Sequence, residues 1–396
     1  MSKKKILFAY NAMCIGGSTT SLLSILNRLD YSKYDVDLLL NMNFGELLDM
    51  IPKSVNLLPP ALKYTDRKVE YIHRLLSPRF MWHFMKSRRI ARKSGVPIHA
   101  AQYRDWKDIE FHRQIDKEYD VAIAFLEGDR CKFVARHIKA HRKLAWVHTN
   151  LKDGKYDSKY DRDTMCVFDR VVLVSDDCMR DFDEMFPEIK DRTLVVENIL
   201  VSEYIRSRAE TGEPFSVDDS KLNLITVCRI SFSSKGLDRA VEAMARLKSD
   251  GMTENLKWYI IGDGRDMQSL REMIKAAGLE DNIIILGMQK NPYPFLKPMS
   301  AFFLPSRFEG KPMAVTEAFM MGLPVLATEY SSAHEQIRHG LDGYITENST
   351  DGIYAGLKYI IENTDKLSEW KNNVMKTDYS NLVEIRKVEA LIDGEL

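Results

Sequence analysis

Residues 304–328, LPSRFEGKPMAVTEAFMMGLPVLAT, read as the end of a strand, a loop, a helix and a second strand. Ala301–Leu304 is a short apolar run of the kind that fills a parallel strand covered on both faces, and Pro305 ends it. Residues 306–311 are polar with one glycine and read as a loop. Pro312 suits the first turn of a helix, where its missing N–H costs nothing. Val315, Ala318, Phe319 and Met321 continue an apolar face, Gly322 suits a C-terminal cap, and Pro324 stops the helix before the apolar run 325–327. Strand–loop–helix–strand is the repeating unit of an α/β domain with a parallel sheet.

Two carboxylates bracket the turn, Glu309 in the loop and Glu317 in the helix. The first-turn N–H groups of Met313 and Ala314, after Pro312, make the helix N-terminus a place for an anion such as a phosphate. A carboxylate further along the helix can accept hydrogen bonds from the hydroxyls of a sugar attached to that phosphate. The pattern therefore points to a nucleotide or a sugar phosphate, although either carboxylate alone fits a solvated surface equally well.

The same run resembles the Glu-x7-Glu signature of the family-4-type retaining glycosyltransferases (glycosyl transferases group 1, GT-B fold). Glu309 and Glu317 match its two acids, and Ser306, Gly310, Ala318, Gly322, Pro324 and Val325 match the pattern around them. Lys311 and Pro312 stand where the family often carries an aromatic and a glycine.

The remaining sequence fits two domains. The chain has 396 residues, 45% hydrophobic and 29% charged, with formal net charge zero, so overall charge indicates no polyanionic partner. No apolar run reaches the ~18 residues of a spanning helix, and the run 5–10 stops at Asn11, too soon for a signal peptide. Cys14, Cys131, Cys166, Cys178 and Cys228 are scattered without metal-ligand or disulfide spacing. A cytosolic chain with mostly buried thiols is the expectation.

Residues 5–10, KILFAY, read as a strand, followed by Gly16–Gly17 and a helix with the stripe Leu22, Leu23, Ile25, Leu26 and Leu29. This is the opening of a doubly wound domain without the G-x-G-x-x-G fingerprint. His148 follows the buried run 143–147, just past a strand end where side chains reach a ligand crevice. Residues 202–220, polar with Gly212 and Pro214, read as an interdomain linker. The second domain opens with the strand 222–228. Arg229 and Lys235 lie in the loop after it, where two cations can neutralise a diphosphate. Leu237, Ala240, Val241, Met244 and Leu247 form the next helical stripe. A further strand ends in Gly262-Asp263-Gly264.

The resemblance implies an α/β protein of two doubly wound Rossmann-like domains facing each other across a cleft (GT-B). Residues 1–200 would bind the acceptor and 201–378 the nucleotide sugar, with 379–396 a terminal helix returning to the first domain. It further implies retaining transfer of a sugar from a nucleotide sugar, expected to be a UDP-sugar, to a hydroxyl of a lipid-linked or cell-surface glycan. Arg229 and Lys235 would hold the diphosphate, Glu317 the ribose, and Glu309 and His148 the transferred sugar. Gly16 and Gly17 would face the cleft, Gly262 and Gly264 would line the donor site, and Met288 and Asn291 lie where the family seats its nucleobase. No cofactor and no metal are expected. Asp35-Val-Asp37, Asp161-Arg-Asp163 and Asp181-Phe-Asp183 imitate a metal-binding pattern of a different fold, and that pattern is nearly unspecific. A same-fold UDP-sugar epimerase and a catalytically silent partner subunit remain as alternatives.

The family pattern explains residues 63–113 least. They hold 13 Lys and Arg against five acids, interleaved with aromatics such as Trp82, Phe84, Tyr103 and Trp106. Such a segment can rest on an anionic membrane surface, bind nucleic acid, or form a solvated helical face. The expectation is a cytoplasmic enzyme docking on the inner face of the cell membrane, with no nucleic-acid partner.

Overall fold

A computed structural model describes residues 3–62, 76–105, 112–200, 202–211 and 214–396. The chain divides into two units, Met1–Asn198 with Val383–Leu396, and Ile199–Leu382.

The first unit carries a seven-stranded parallel sheet of β1 (Lys4–Tyr10), β2 (Tyr34–Leu40), β3 (Asn56–Leu57), β4 (Glu118–Ala124), β5 (Lys139–Val147), β6 (Arg170–Leu173) and β7 (Thr193–Val195), in the order β3-β2-β1-β4-β5-β6-β7. The second carries β8 (Leu222–Val227), β9 (Leu256–Ile261), β10 (Ile283–Gly287), β11 (Ala301–Leu304), β12 (Val325–Thr328) and β13 (Gly343–Thr346), in the order β10-β9-β8-β11-β12-β13, again all parallel. In each sheet the chain winds outward from the first strand, then returns to lie on that strand's other side. The order therefore reverses between β1 and β4 in one unit and between β8 and β11 in the other, and ligands of doubly wound sheets bind outside the carboxyl ends of the strands at such a reversal.

The central strands are continuous apolar runs because helices cover both faces. Along β11, Ala301 and Phe303 pack into one core with Trp258 and the stripe Leu237, Ala240, Val241, Met244 and Leu247 of helix Leu237–Ser249. Phe302 and Leu304 point the other way, into a core with Val315, Ala318 and Phe319 of helix Met313–Met320. The terminal helix Glu384–Asp393 buries Val388, Leu391 and Ile392 within the first unit, and Asp393 accepts from Lys4 Nζ and the Tyr34 hydroxyl, both at 2.9 Å.

The segment expected as a linker contains a helix of the second unit, Ser202–Ala209. Ile205 and Ala209, one turn apart, bury against Leu200, Tyr293, Met313 and Met320, a pair too sparse to stand out in a polar sequence. Of the basic stretch, residues 63–75 and 106–111 lie outside the described residues. Within it, helix Pro78–Ser94 starts where Ser77 Oγ accepts from Phe80 N at 3.2 Å and stops at Gly95 in the left-handed conformation, φ 67°. Its buried side carries His83 and Ser87, while Trp82 and Met85 are 54% and 60% exposed beside exposed Lys86, Arg89, Arg92 and Lys93. No helix among the described residues is long and apolar enough to cross a membrane.

Candidate functional site

At the β8/β11 reversal two loops are locked together. The loop after β8 closes with one helical turn, Phe232–Lys235, and Gly236 at φ 64°. A Cβ on Gly236 would lie 2.2 Å from the Pro305 carbonyl oxygen, so only glycine lets the two loops approach this closely. Arg307 N donates to Ser234 O at 2.7 Å, and the Arg307 guanidinium makes a two-pronged pair with Asp238, 2.7 Å on each arm.

This closure brings Lys235 Nζ onto Glu309 Oε1, which also accepts from Ser306 Oγ at 2.6 Å. Arg229 stands exposed in the same loop. Gly262 and Gly264 back the loop from the end of β9: a Cβ on Gly262 would lie 1.9 Å from Cys228 O and one on Gly264 2.1 Å from Ile230 O. The two glycines thus leave room for the backbone on either side of Arg229. Burial pushes the Cys228 thiol up to about 12, which keeps it from acting as a nucleophile.

Pro312 sits at the N-cap of helix Met313–Met320, one position before the first turn, with φ −67° and ψ 116°. Met313 and Ala314 open the helix, so their N–H groups are among those that intrahelical bonding leaves over. In that helix Glu317 accepts from the Tyr293 hydroxyl at 3.1 Å. Burial pushes its pKa up to about 7, against the opposing effect of that hydrogen bond. Two expected residues are not drawn into this cluster. Met288 is 48% exposed just past β10, and the Asn291 amide donates to the carbonyls of Arg208 at 2.7 Å and Thr211 at 3.1 Å.

In the first unit Gly16 is the N-cap of helix Gly17–Leu26. Its φ of 169° suits any residue, and among the described residues no atom lies within 4 Å of a Cβ built on it, so none of them requires a glycine there. His148 follows β5 with its ring centroid 4.9 Å from that of Phe125. Burial depresses its pKa to about 4, against the opposing influence of the nearby Asn198 side chain and Phe125 backbone. Glu127, just past β4 at the β1/β4 reversal, accepts from His148 N at 3.0 Å, and burial raises its pKa.

Glu127 and Tyr293 escaped the sequence reading because each is recognisable only through a partner 21 or 24 positions away. Of the three Asp-x-Asp motifs, Asp37 pairs with Lys117, Asp161 with Lys132 and Asp181 with Lys152.

The architecture is that of the GT-B proteins. Residues 208–377 match the family model described as glycosyl transferases group 1. Among solved structures it resembles Anabaena HepE in complex with UDP and glucose, with TM-score 0.69 and 16% identity over 99% of this chain and 100% of that one. An uncharacterized glycosyltransferase of Methanocaldococcus jannaschii is 25% identical over 206 residues, 49% of this chain and 50% of the relative. The Campylobacter jejuni N-acetylgalactosamine-N,N'-diacetylbacillosaminyl-diphospho-undecaprenol 4-alpha-N-acetylgalactosaminyltransferase is 30% identical over 166 residues, 41% and 44% of the two chains. The chain thus spans about half the length of these relatives.

Proposed function

We propose that this protein is a metal-independent, retaining glycosyltransferase of the Glu-x7-Glu type, moving a sugar from a UDP-sugar to a hydroxyl of a lipid-linked or cell-surface glycan. The observation that carries this reading is the convergence of Lys235, Glu309 and Ser306 at the β8/β11 reversal, with Arg229 in the same loop. Two cations there suit a diphosphate, and their charge stabilises the leaving group as the glycosidic bond breaks. The N–H groups of Met313 and Ala314 add donors to the same anion. Glu317 accepts from the ribose hydroxyls, and Met288 and Asn291 border the base. Glu309 contacts the transferred sugar. A UDP-bound neighbour and the diphospho-undecaprenol named for the Campylobacter relative support the choice of donor and acceptor class.

Calorimetry with UDP, GDP and ADP tests the donor: UDP binding at least tenfold tighter than the others is expected, and no preference for UDP overturns it. Turnover is expected to survive EDTA.

The reading includes docking of helix Pro78–Ser94 on an anionic bilayer. Spacings of three and four put Trp82, Met85, Lys86, Arg89 and Arg92 on one outward face, which combines apolar insertion with charge. Co-sedimentation with phosphatidylglycerol vesicles but not phosphatidylcholine vesicles is expected, lost when Arg88, Arg89, Arg92 and Lys93 become Glu. Equal sedimentation with both, or none at low salt, removes the membrane from the proposal.

A further inference from the structure

The loop 306–312 belongs to no sheet, yet side chains of one neighbouring segment hold most of its carbonyls. Thr328 Oγ1 donates to Ser306 O at 2.5 Å, Ser331 Oγ to Glu309 O at 3.3 Å, Ser332 Oγ to Gly310 O, and Gln336 Nε2 to Pro312 O at 2.9 Å. Asn348 Nδ2 adds a donor to Arg307 O at 2.9 Å. Thr328 and Ser332 are wholly buried. Gln336 is itself braced, donating to Thr316 Oγ1 at 2.8 Å and accepting from the Tyr330 hydroxyl at 3.1 Å. Five of the seven carbonyls from 306 to 312 are therefore held by side chains, four of them from residues 328–336.

A trans peptide points its C=O and the next residue's N–H in opposite directions, and the described chain has no cis bond. With the carbonyls of Glu309, Gly310 and Pro312 turned toward residues 328–336, the N–H groups of Gly310, Lys311 and Met313 are turned away from them. A run of N–H groups aimed to one side, ending at a helix N-terminus, is the geometry that receives an anion. The same bonds fix the backbone that carries Glu309 against Lys235.

We propose that residues 328–336 are the positioning element of the donor site, with Ser332 and Gln336 as its principal positioning residues. They hold the 306–312 loop so that its N–H groups face the diphosphate of a nucleoside diphosphate. The inference rests on the UDP-sugar reading and deepens it. It separates the diphosphate from the rest of the nucleotide: these side chains act on the phosphate-facing loop and have no part in holding the nucleoside.

The test uses the full chain and two probes, UDP by calorimetry and uridine by ligand-observed NMR. Ser332→Ala and Gln336→Ala are each expected to weaken UDP about tenfold while leaving uridine binding unchanged, with Ser332→Thr restoring UDP affinity because it keeps the hydroxyl. Thermal melting identifies the folded variants, and Gln336→Ala, at a half-buried position, carries the test if Ser332→Ala does not fold. Unchanged UDP affinity in a folded variant overturns the inference, as does a parallel loss of UDP and uridine. A wild-type protein that binds uridine but gains nothing from the diphosphate overturns the inference and leaves a nucleoside site standing. Failure to bind either probe overturns the UDP-sugar reading itself, and the inference with it.

Discussion

The two sheets have the same winding, and their reversal points are equipped in opposite ways. At β8/β11 an ion pair is kept: Lys235 pairs with Glu309, and Arg229 stands exposed in the same loop, although burial lifts Glu317 to about 7. At β1/β4 and the adjoining end of β5 charge is discouraged. Burial lifts Glu127 toward its neutral form and drives the His148 pKa to about 4, so the imidazole is neutral at ordinary pH. The difference teaches that a shared topology fixes where a ligand goes, and the local desolvation decides which ligand it is. A crevice with free and paired cations suits an anion. One with neutral, hydrogen-bonding groups suits hydroxyls.

The largest expected effect tests the charged side. Lys235→Ala removes a cation from the leaving group and strips Glu309 of its ion-pair partner. Turnover should fall by roughly 10²–10³-fold, the loss typical for one preorganised transition-state donor. UDP release from the sugar nucleotide selected by calorimetry measures it. A loss of under threefold would mean that the second crevice does not work through charge.

Glu317→Ala comes next. If the carboxylate accepts ribose hydroxyls, UDP binding should weaken by about 1.5–3 kcal/mol, the range for hydrogen bonds to a charged group. Glu127→Gln, in the other unit, should leave UDP affinity within about 0.5 kcal/mol, as expected of a substitution that removes none of the proposed UDP contacts. The comparison between the crevices breaks if the two variants lose UDP equally.

Much of this contrast was legible in the sequence, for identifiable reasons. Ala301–Leu304 could be read as a strand because a parallel strand buried on both faces is apolar at every position. The stripe from Leu237 to Leu247 has helical period. Pro312 and Gly322 mark boundaries because backbone geometry restricts what can stand there. Contacts between distant loops could not be read. Nothing near Tyr293 announces that its hydroxyl meets Glu317, and the serines after β12 look like an ordinary polar turn until their hydroxyls are seen on the carbonyls of the 306–312 loop. Gly262 and Gly264 were visible as a strand-end pair, but the carbonyls of Cys228 and Ile230 that exclude a side chain there come from the loop after β8, earlier in the chain. Pattern reports the element a residue sits in, while the site depends on which elements the winding order makes adjacent.

The smallest effect expected has opposite signs for the buried imidazole of one unit and the buried carboxyl of the other. His148 titrates at about 4 in the folded chain against about 6.5 unfolded. Between those values the unfolded state holds more protons, so this group's contribution to stability rises with pH and is lost as pH falls from 6.5 toward 4. Glu317 titrates at about 7 folded, above the ordinary carboxyl value of 4.5. There the native state holds more protons, so its contribution is present below 4.5 and is lost as pH rises toward 7. Over pH 4.5–6.5 the two slopes oppose each other, and the wild-type profile partly hides both. Removing each group uncovers the other. Measured as the difference in Tm from wild type, Glu317→Gln should gain stability as pH rises through this window, and His148→Asn should lose it. Each kcal/mol corresponds to about 2–4 °C in a domain of this size, and both side chains keep some solvent contact, so shifts of only a few degrees are expected. Scanning calorimetry at half-unit pH intervals resolves them. Two difference curves with the same sign would show that burial does not hold both His148 and Glu317 in their neutral forms.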